Sequence, residues 1–287
     1  MWARIGIRSL ASWEMSPLKA RGDAFERVRV FDLDFVNAAN IDPVCETILQ
    51  DDPGTLDVAP VVVTPNTDIL LQYRQTPDEG FRSFFSSAWL ILPDGQPIVW
   101  ASRLLGSPLR ARLCGSDLFA ALWPRLVQQR VPTVVLASSQ VIADGLAATH
   151  DRATITVAPM IDAADDRALN DMAVQLADQV TESDATVVIL CLGHPKDSLI
   201  AARLHGALRT RGRPLPYVLC LGGSAEMYLG VRRRAPRWVQ RLSAEWLYRF
   251  AQEPRRLFRR YFIEDVGFIK VVASEWRAQR GRTRSRP

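Results

Sequence analysis

Residues 186–223 read TVVILCLGHPKDSLIAARLHGALRTRGRPLPYVLCLGG, and this stretch decides the fold. Two uncharged runs of strand-forming residues, at 186–190 and 217–221, stand on either side of a helical pattern at 198–209. Strands that are apolar throughout are typical of a sheet buried on both faces, and a helix between two such strands makes them parallel. The stretch therefore predicts an α/β fold with a mainly parallel sheet flanked by helices.

The same alternation of strands and helices extends over most of the chain. Further strand-like runs lie at 28–35, 60–63, 89–92, 133–136 and 155–157. Further helical patterns lie at 68–75, 97–105, 117–129, 141–149 and 167–180. The run at 28–35 alternates apolar and polar residues with one slip of phase at Phe31, and we interpret it as a half-buried strand. Ligands of such folds bind beyond the carboxyl ends of the strands, so functional residues are expected there.

Composition and charge exclude several classes of protein. The chain has 287 residues, of which 48% are hydrophobic, too many for a disordered chain. No stretch approaches the ~18 uncharged apolar residues that a transmembrane helix requires. Residues 231–287 carry 16 Lys and Arg against 5 Asp and Glu, a balance of +11, whereas residues 1–230 carry 20 against 26, a balance of −6. A basic tail of this kind is typical of contact with an anionic surface, either phospholipid or nucleic acid.

The cysteines, the histidines and the absence of common nucleotide-binding motifs indicate the compartment and exclude further classes of protein. The 4 cysteines include no closely spaced pair and residues 1–8 are not typical of a signal peptide, so a cytoplasmic protein is expected. The 3 histidines are dispersed, so no zinc site is predicted. Without a Walker A or GxGxxG sequence, ATPase and dinucleotide oxidoreductase functions have no support. Asp32 and Asp34 match the metal-binding DxD of many glycosyltransferases in letters only, and no metal or other cofactor is predicted.

Polar residues follow two of the predicted strands. Thr64 and Asn66 come after one strand and open a helix, where either could simply cap that helix. Asp94 follows the next strand within Pro-Asp-Gly, which is also a common turn. At a ligand-binding edge, however, a carboxylate can take a proton from an attacking hydroxyl, as sugar transfer to an alcohol requires. Two further strands end in the glycines Gly193 and Gly222-Gly223, which permit close backbone approach to a ligand.

The chain after Gly230 has a different pattern. Large apolar residues recur there at helical spacing, namely Trp238, Leu242, Trp246 and Phe250. Arginines occupy the opposing face, so this part predicts a basic amphipathic helical appendage. The alternative is that its aromatic residues pack on the body while the arginines remain solvated.

Taken in order, these motifs resemble one family, the WecG/TagA/CpsF glycosyltransferases, also called glycosyltransferase family 26. The matching segments are Thr64-Pro65-Asn66, Pro93-Asp94-Gly95, Val99-Trp100-Ala101-Ser102-Arg103, Arg112 with Gly115 and Asp117, Gly193 with Pro195-Lys196, Gly222-Gly223, Arg234-Ala235-Pro236-Arg237-Trp238, Glu245-Trp246-Leu247-Tyr248-Arg249 and Gln252-Glu253-Pro254-Arg255-Arg256. The resemblance covers residues 29–270 and implies a Rossmann-like enzyme with a C-terminal appendage that associates with membranes. Members of the family transfer a sugar from a UDP-sugar to a polyprenyl-diphosphate-linked sugar, with inversion and without an obligatory metal.

The resemblance also implies roles for individual residues. Asp94 is similar to the family's general base, and Thr64 to its companion in the active site. The residues implied in substrate binding are Asn66, Arg112, Lys196, Gly222, Gly223, Glu226, Arg249, Arg256 and Arg259. The last three resemble appendage arginines that close over the diphosphates, where guanidinium groups can neutralise charge in place of a metal.

The sequence departs from the family pattern at four places that are expected to border the donor pocket. A Gly-rich loop is replaced by Ala137-Ser138-Ser139, and a His-Gly-Tyr-Phe-like segment by Ala158-Pro159-Met160-Ile161. The Pro-Lys-Gln-Glu pattern becomes Pro195-Lys196-Asp197-Ser198, and an expected Asp becomes Glu226. These changes make a non-catalytic nucleotide-sugar-binding relative the alternative to an enzyme. A nucleic-acid-binding protein ranks last, because the aromatic residues of the tail have core-like spacing.

We therefore predict three parts: an N-terminal extension at 1–27, a catalytic α/β domain at 28–230, and a basic helical appendage at 231–287 that ends in a disordered C-terminus. The predicted partners are a UDP-sugar, a polyprenyl-diphosphate-linked sugar and an anionic membrane surface, without nucleic acid. The predicted location is the cytoplasm, on the inner face of the cell membrane, in exopolysaccharide or cell-envelope synthesis. Formation of a homo-oligomer stays open.

Overall fold

The protein forms one eight-stranded sheet with helices on both faces. A computed structural model describes residues 25–56, 58–232 and 265–284. The strands run in the order β1-β2-β4-β3-β8-β7-β5-β6. They are β1 (Arg27–Val30), β2 (Leu33–Val36), β3 (Val61–Val63), β4 (Leu90–Ile91), β5 (Thr133–Ala137), β6 (Ala153–Val157), β7 (Val187–Leu190) and β8 (Tyr217–Cys220). All neighbours are parallel except β1 and β2, so the predicted mainly parallel α/β fold is confirmed.

Ten α-helices belong to the described part of the chain. They are α1 (Asp42–Gln50), α2 (Thr67–Gln75), α3 (Glu79–Ser86), α4 (Gln96–Leu104), α5 (Gly115–Gln128), α6 (Gln140–Ala147), α7 (Asp166–Ser183), α8 (Lys196–Thr210), α9 (Ser224–Tyr228) and α10 (Asp265–Arg284). A short 3₁₀ helix spans Pro53–Thr55. The sequence patterns located six of these helices to within a few residues and missed α1, α3 and α9, while α10 lies within the predicted helical appendage at 231–287.

The core has two halves because successive strand residues point to opposite faces of the sheet. Val188 and Leu190 of β7 join a cluster with residues of α2, α3, α4, α7, α8 and α10. Val187 and Ile189 join the other cluster, with residues of α1, α5, α6 and α9. All four β7 side chains are at most 1% exposed, which explains why the run is apolar throughout. All four cysteines are free thiols and buried.

The interpretation of residues 28–35 as one strand was wrong. The chain reverses at Phe31 and Asp32, which have φ values of 57° and 61°, and β1 and β2 form an antiparallel hairpin. Left-handed conformations at both central residues make the tight turn that matches the twist of a hairpin. The slip of phase at Phe31 was the signal of this turn. The turn lacks the usual Asn or Gly, and the Phe31 ring is instead held in the core, 1% exposed.

Helix α10 packs against the body of the protein. Phe268 is 6% exposed and its ring lies 5.6 Å from that of Phe31. Glu275 forms an ion pair of 2.5 Å with Arg74 at the end of α2, and Arg74 also lies 3.4 Å from Asp32. The tail therefore contributes at least one side chain to the core, while residues 233–264 lie outside the described part. The division into three parts stays a prediction.

Stability is expected to depend on pH through His205 in α8. This side chain is fully buried, and neither ring nitrogen has a hydrogen-bond partner among the residues that the structure describes. Burial, with a smaller effect of Arg209, lowers the pKa of His205 from 6.5 to about 3. The folded chain therefore keeps the ring neutral while the unfolded chain takes up a proton. The free energy of unfolding should fall by about 1.4 kcal/mol per pH unit as the pH decreases from 6.5 to about 3.

Replacement of His205 by Leu should remove this contribution. Between pH 7.5 and pH 5.0, the variant should lose about 2 kcal/mol less than the wild type. Urea unfolding of both proteins at the two pH values measures the difference. Equal losses in the two proteins would show that His205 is not kept neutral by the fold. His194, whose pKa burial lowers to about 4, and His150, whose pKa burial also lowers, remain in both proteins and contribute to the residual pH dependence.

Candidate functional site

Polar residues converge at the carboxyl ends of β4, β3 and β8, which are neighbours in the sheet. Parallel pairing continues past the end of β4, since Leu92 N donates to Val63 O at 2.9 Å and Asp94 N donates to Pro65 O at 3.0 Å. These bonds fix Asp94 beside the segment that contains Thr64. Gly95 then turns the chain into α4 with a φ of 156°. Pro93-Asp94-Gly95 is therefore a strand-to-helix turn at the carboxyl edge of the sheet, and the role of Asp94 in accepting a proton stays a prediction.

The Asp94 carboxylate faces the first turn of α5. Its Oδ2 accepts a hydrogen bond of 3.3 Å from Gly115 N, the first residue of that helix. The side chain is half-buried and remains accessible. The hydrogen bond from Gly115 N orients the Asp94 carboxylate at the start of α5.

Gly115 lets α5 approach the ends of β3 and β8 closely. A Cβ atom on Gly115 would lie 3.1 Å from Thr64 Oγ1 and 3.3 Å from Ser224 Oγ. Thr64 Oγ1 donates a long hydrogen bond, 3.5 Å, to Cys220 O. Asp94 and Thr64, predicted as a catalytic pair, thus lie on either side of the same glycine. Ser224 was missed by the sequence analysis, although its position directly after Gly222-Gly223 could have indicated it.

Asn66 and Arg112 have structural partners near this point. The Asn66 side chain accepts from Ile69 N at 3.0 Å, so it caps α2, as the alternative interpretation expected. Arg112 lies 3.7 Å from Asp117 in the first turn of α5. The pKa of the nearby Cys114 thiol is raised to about 12, chiefly by burial. The charge of Asp94 adds to this rise, and the charge of Arg112 opposes it.

The loops after β5, β7 and β8 form a second part of the edge. Gly222 has a φ of 53°, and a Cβ on Gly223 would lie 3.3 Å from Glu226 Oε2. Glu226 Oε1 accepts a hydrogen bond of 2.9 Å from Ser138 Oγ, and its other oxygen lies 3.9 Å from Arg232. Two positions that depart from the family pattern, Ser138 and Glu226, therefore contact each other across the end of β7.

Residues of the loop after β7 complete this part. Lys196 is half-buried and begins α8. The next residue, Asp197, is 2% exposed, and its carboxylate accepts backbone hydrogen bonds from Leu192 and Gly222. Burial raises the pKa of Asp197, against the lowering effect of these N–H groups. The sequence analysis noted Asp197 only as a departure from the family. His194, in the same loop, packs edge-on against the rings of Phe81 and Phe85.

Asp32 and Asp34 are far from Asp94. Phe35 pairs with Ile91 in the parallel strands β2 and β4, so the two aspartates precede this point while Asp94 follows it. At 3.3 Å per residue, Asp32 and Asp94 are about 20 Å apart along the strands. Asp34 pairs with Arg29, and Asp32 lies beside Arg74. Within 25–56, 58–232 and 265–284, no group of three or more His, Cys, Asp or Glu residues could hold a metal ion.

The remaining predicted residues lie outside the described part of the chain. Arg249, Arg256 and Arg259 belong to 233–264, as do the aromatic residues at helical spacing. Residues 1–24 and 285–287 are also outside it. Among the helices that are described, none is both long and apolar enough to cross a membrane.

Comparison with known proteins identifies the family of the chain. The chain is 30% identical over 199 residues to the N-acetylglucosaminyldiphosphoundecaprenol N-acetyl-beta-D-mannosaminyltransferase of Bacillus spizizenii, a match that covers 68% of this chain and 72% of the relative. It is 26% identical over 202 residues to the protein of the same name from Bacillus subtilis strain 168, covering 69% and 74%. The Glycosyl transferase WecG/TagA/CpsF family matches residues 28–282. The chain therefore belongs to the WecG/TagA/CpsF family of glycosyltransferases.

Proposed function

We propose that the protein transfers a sugar from a UDP-sugar to a polyprenyl-diphosphate-linked sugar, with inversion, in bacterial exopolysaccharide or cell-envelope synthesis. The observation that carries this proposal is the Asp94 carboxylate, which lies at the carboxyl edge between Thr64 and the first turn of α5. The names of the two Bacillus relatives describe transfer of N-acetylmannosamine to a lipid-linked N-acetylglucosamine, so this donor and acceptor are the first to test.

Inversion needs one well-placed base. The acceptor hydroxyl attacks the anomeric carbon on the face opposite the diphosphate, the new carbon–oxygen bond forms, and the bond to UDP breaks. Asp94 accepts the hydroxyl proton as the bond forms. Gly115 N, which donates to Asp94 Oδ2, orients the carboxylate, and the Thr64 hydroxyl is near enough to help hold the acceptor.

The leaving UDP carries charge that the protein must balance. Lys196 at the start of α8 supplies a cation on the β7 side of the edge. Helices α6 and α8 begin without a side-chain cap and follow β5 and β7, so their positive ends lie on either side of the crevice between these two strands. The order of strands reverses at this crevice, where folds of this kind bind nucleotides. Arg249, Arg256 and Arg259 complete the balance in the proposal, in place of a metal.

The outer surface of α10 supports association with the inner face of the membrane. Ile269 is 66% exposed and Trp276 is 38% exposed. A separation of seven residues brings both to the same side of the helix. Lys270 and Arg277, each next to one of them, are also exposed. Apolar side chains flanked by basic ones suit an anionic lipid surface, where each basic residue contributes about 1 kcal/mol.

Asp94→Asn should keep the fold and lose most turnover. The amide cannot accept the hydroxyl proton, and loss of a general base lowers the rate by about 10²–10⁴-fold. The assay measures UDP release from a panel of UDP-sugars in the presence of a lipid-diphosphate-linked N-acetylglucosamine. Asp165→Asn is the matched control, because Asp165 caps α7 and Asn caps a helix equally well.

A turnover of Asp94→Asn within a few-fold of wild type would refute the role of Asp94 as the base. Binding of UDP without any transfer by the wild type would instead favour a non-catalytic nucleotide-sugar-binding protein.

Transfer should continue in EDTA. The proposal assigns the neutralisation of charge to basic side chains, so chelation should leave the initial rate within about twofold, whereas an enzyme that needs a metal would stop. UDP release is followed after dialysis against EDTA and again after addition of Mn²⁺ or Mg²⁺. Abolition by EDTA with recovery on adding the metal would overturn metal independence.

Charge reversal should separate catalysis from membrane binding. Arg256→Glu with Arg259→Glu should lower turnover on a short-chain, water-soluble acceptor by at least about tenfold, because charge on the leaving diphosphate loses its partners. The matched control is Arg282→Glu with Arg284→Glu, which changes the net charge equally at the end of α10.

Both pairs should weaken binding to vesicles that contain phosphatidylglycerol, more at low salt than at high salt. Sedimentation with vesicles measures binding, and UDP release measures turnover. If both pairs lower turnover on the soluble acceptor equally, Arg256 and Arg259 have no specific role in catalysis.

A further inference from the structure

Asp197 joins two loops that no strand pairing connects directly. Its Oδ1 accepts from Leu192 N at 2.9 Å, and its Oδ2 accepts from Gly222 N at 2.9 Å. Leu192 follows β7 and Gly222 follows β8, which are neighbours in the sheet. The ladder between these strands ends with the bond from Leu221 N to Leu190 O, 3.1 Å. The carboxylate therefore continues the connection beyond the last backbone bond of the ladder.

The two loops meet through glycines. Gly193 has a φ of 91° and Gly222 a φ of 53°, values that side chains other than glycine rarely adopt. A Cβ on Gly222 would lie 3.4 Å from the Cα of Gly193, so the two backbones are in close contact. With Asp197 N donating to Gly193 O at 3.1 Å, one residue holds both glycine loops and the start of α8.

The burial of Asp197 distinguishes it from a residue that contacts substrate. At 2% exposure the carboxylate has no surface for a ligand, and each of its oxygens has a backbone donor. Burial of a carboxylate costs free energy unless the carboxylate is hydrogen-bonded. The Asp197 side chain therefore holds its donors, Leu192 N and Gly222 N, in place. Its neighbour Lys196 is half-buried at the same helix start, which follows β7 at the edge where UDP is proposed to bind.

We propose that Asp197 is a positioning residue for the nucleoside diphosphate of the donor. It holds the Gly193 loop, the Gly222 loop and Lys196 as one unit, and this unit binds the diphosphate. This inference rests on the proposed function. The proposed role of Asp197 is in the affinity for the donor, whereas the proposed role of Asp94 is in the chemical step.

The test is Asp197→Asn. Asn has the same size as Asp, but only one atom of its amide group can accept a hydrogen bond. The N–H of either Leu192 or Gly222 would therefore point at the NH₂ group of Asn, which is itself a donor. The KM for the UDP-sugar and the Kd for UDP should each rise about tenfold, because a hydrogen bond to a charged group is lost. The value of kcat at saturating donor should stay within about threefold. Calorimetric titration with UDP and steady-state kinetics measure these quantities.

A purely structural role would give a different result. Asp166→Asn is the matched control, because the Asp166 carboxylate accepts from the buried Arg203 at 2.5 Å and joins α7 to α8 away from the glycine loops. Both variants should have a lower Tm, but Asp166→Asn should keep the wild-type Kd for UDP. If Asp197→Asn does not fold, Asp197→Ser is used, since it is smaller and keeps one acceptor; it should show the same rise in Kd.

The outcomes separate this inference from the function on which it rests. An unchanged Kd for UDP in Asp197→Asn, or a fall in kcat alone, would overturn the positioning role of Asp197. Sugar transfer by the wild type would still support the proposed function in that case. Wild-type protein that binds UDP but transfers no sugar would refute the function, and the comparison of Kd values would still decide the role of Asp197. Wild-type protein that does not bind UDP would overturn both.

Discussion

The hydrogen bond from Asp94 N to Pro65 O governs the arrangement of the site. It extends the pairing of two very short strands, β3 and β4, past the point where regular sheet ends. Because the strands are parallel, the residues that follow them are delivered to the same edge, and this bond sets how far along that edge Asp94 lies relative to Thr64. Gly115 then allows a helix from the other face of the sheet to close on both.

The sequence predicted the centre of the sheet well and its margins poorly. Strands such as β7 are buried on both faces, so they contain only apolar residues and stand out by composition. The hairpin at Phe31 was missed because tertiary packing, rather than Asn or Gly, stabilises its turn. Helix α3 was detectable in principle, since Phe81, Phe84 and Phe85 share a face and Asp78 caps the helix. Helix α10 lies within the predicted helical appendage, but its packing against Phe31 could not be read from the sequence.

The residues of the candidate site could be predicted where they belong to a short motif, but not where their role depends on contacts with distant parts of the chain. Asp94 and Thr64 were predicted from short motifs, and the structure brings both next to Gly115. By contrast, Ser138 and Glu226 are 88 residues apart, and nothing in either segment indicates that they share a hydrogen bond. The proposed role of Asp197 could not be predicted for the same reason, because it depends on a hydrogen bond from Gly222, which is 25 residues away in the sequence. Departures from a family pattern can therefore be partners of one another.

The contact between Phe31 and Phe268 has a consequence for how the chain is made. One ring belongs to the hairpin of β1 and β2 and the other to α10, so two parts of the same core lie 237 positions apart in the sequence. During synthesis the sheet and most helices can form as they emerge, but the Phe31 ring has no α10 partner until residue 268 has been translated. A ribosome that stalls in the basic segment before α10 would thus leave a nascent protein with an open apolar seam.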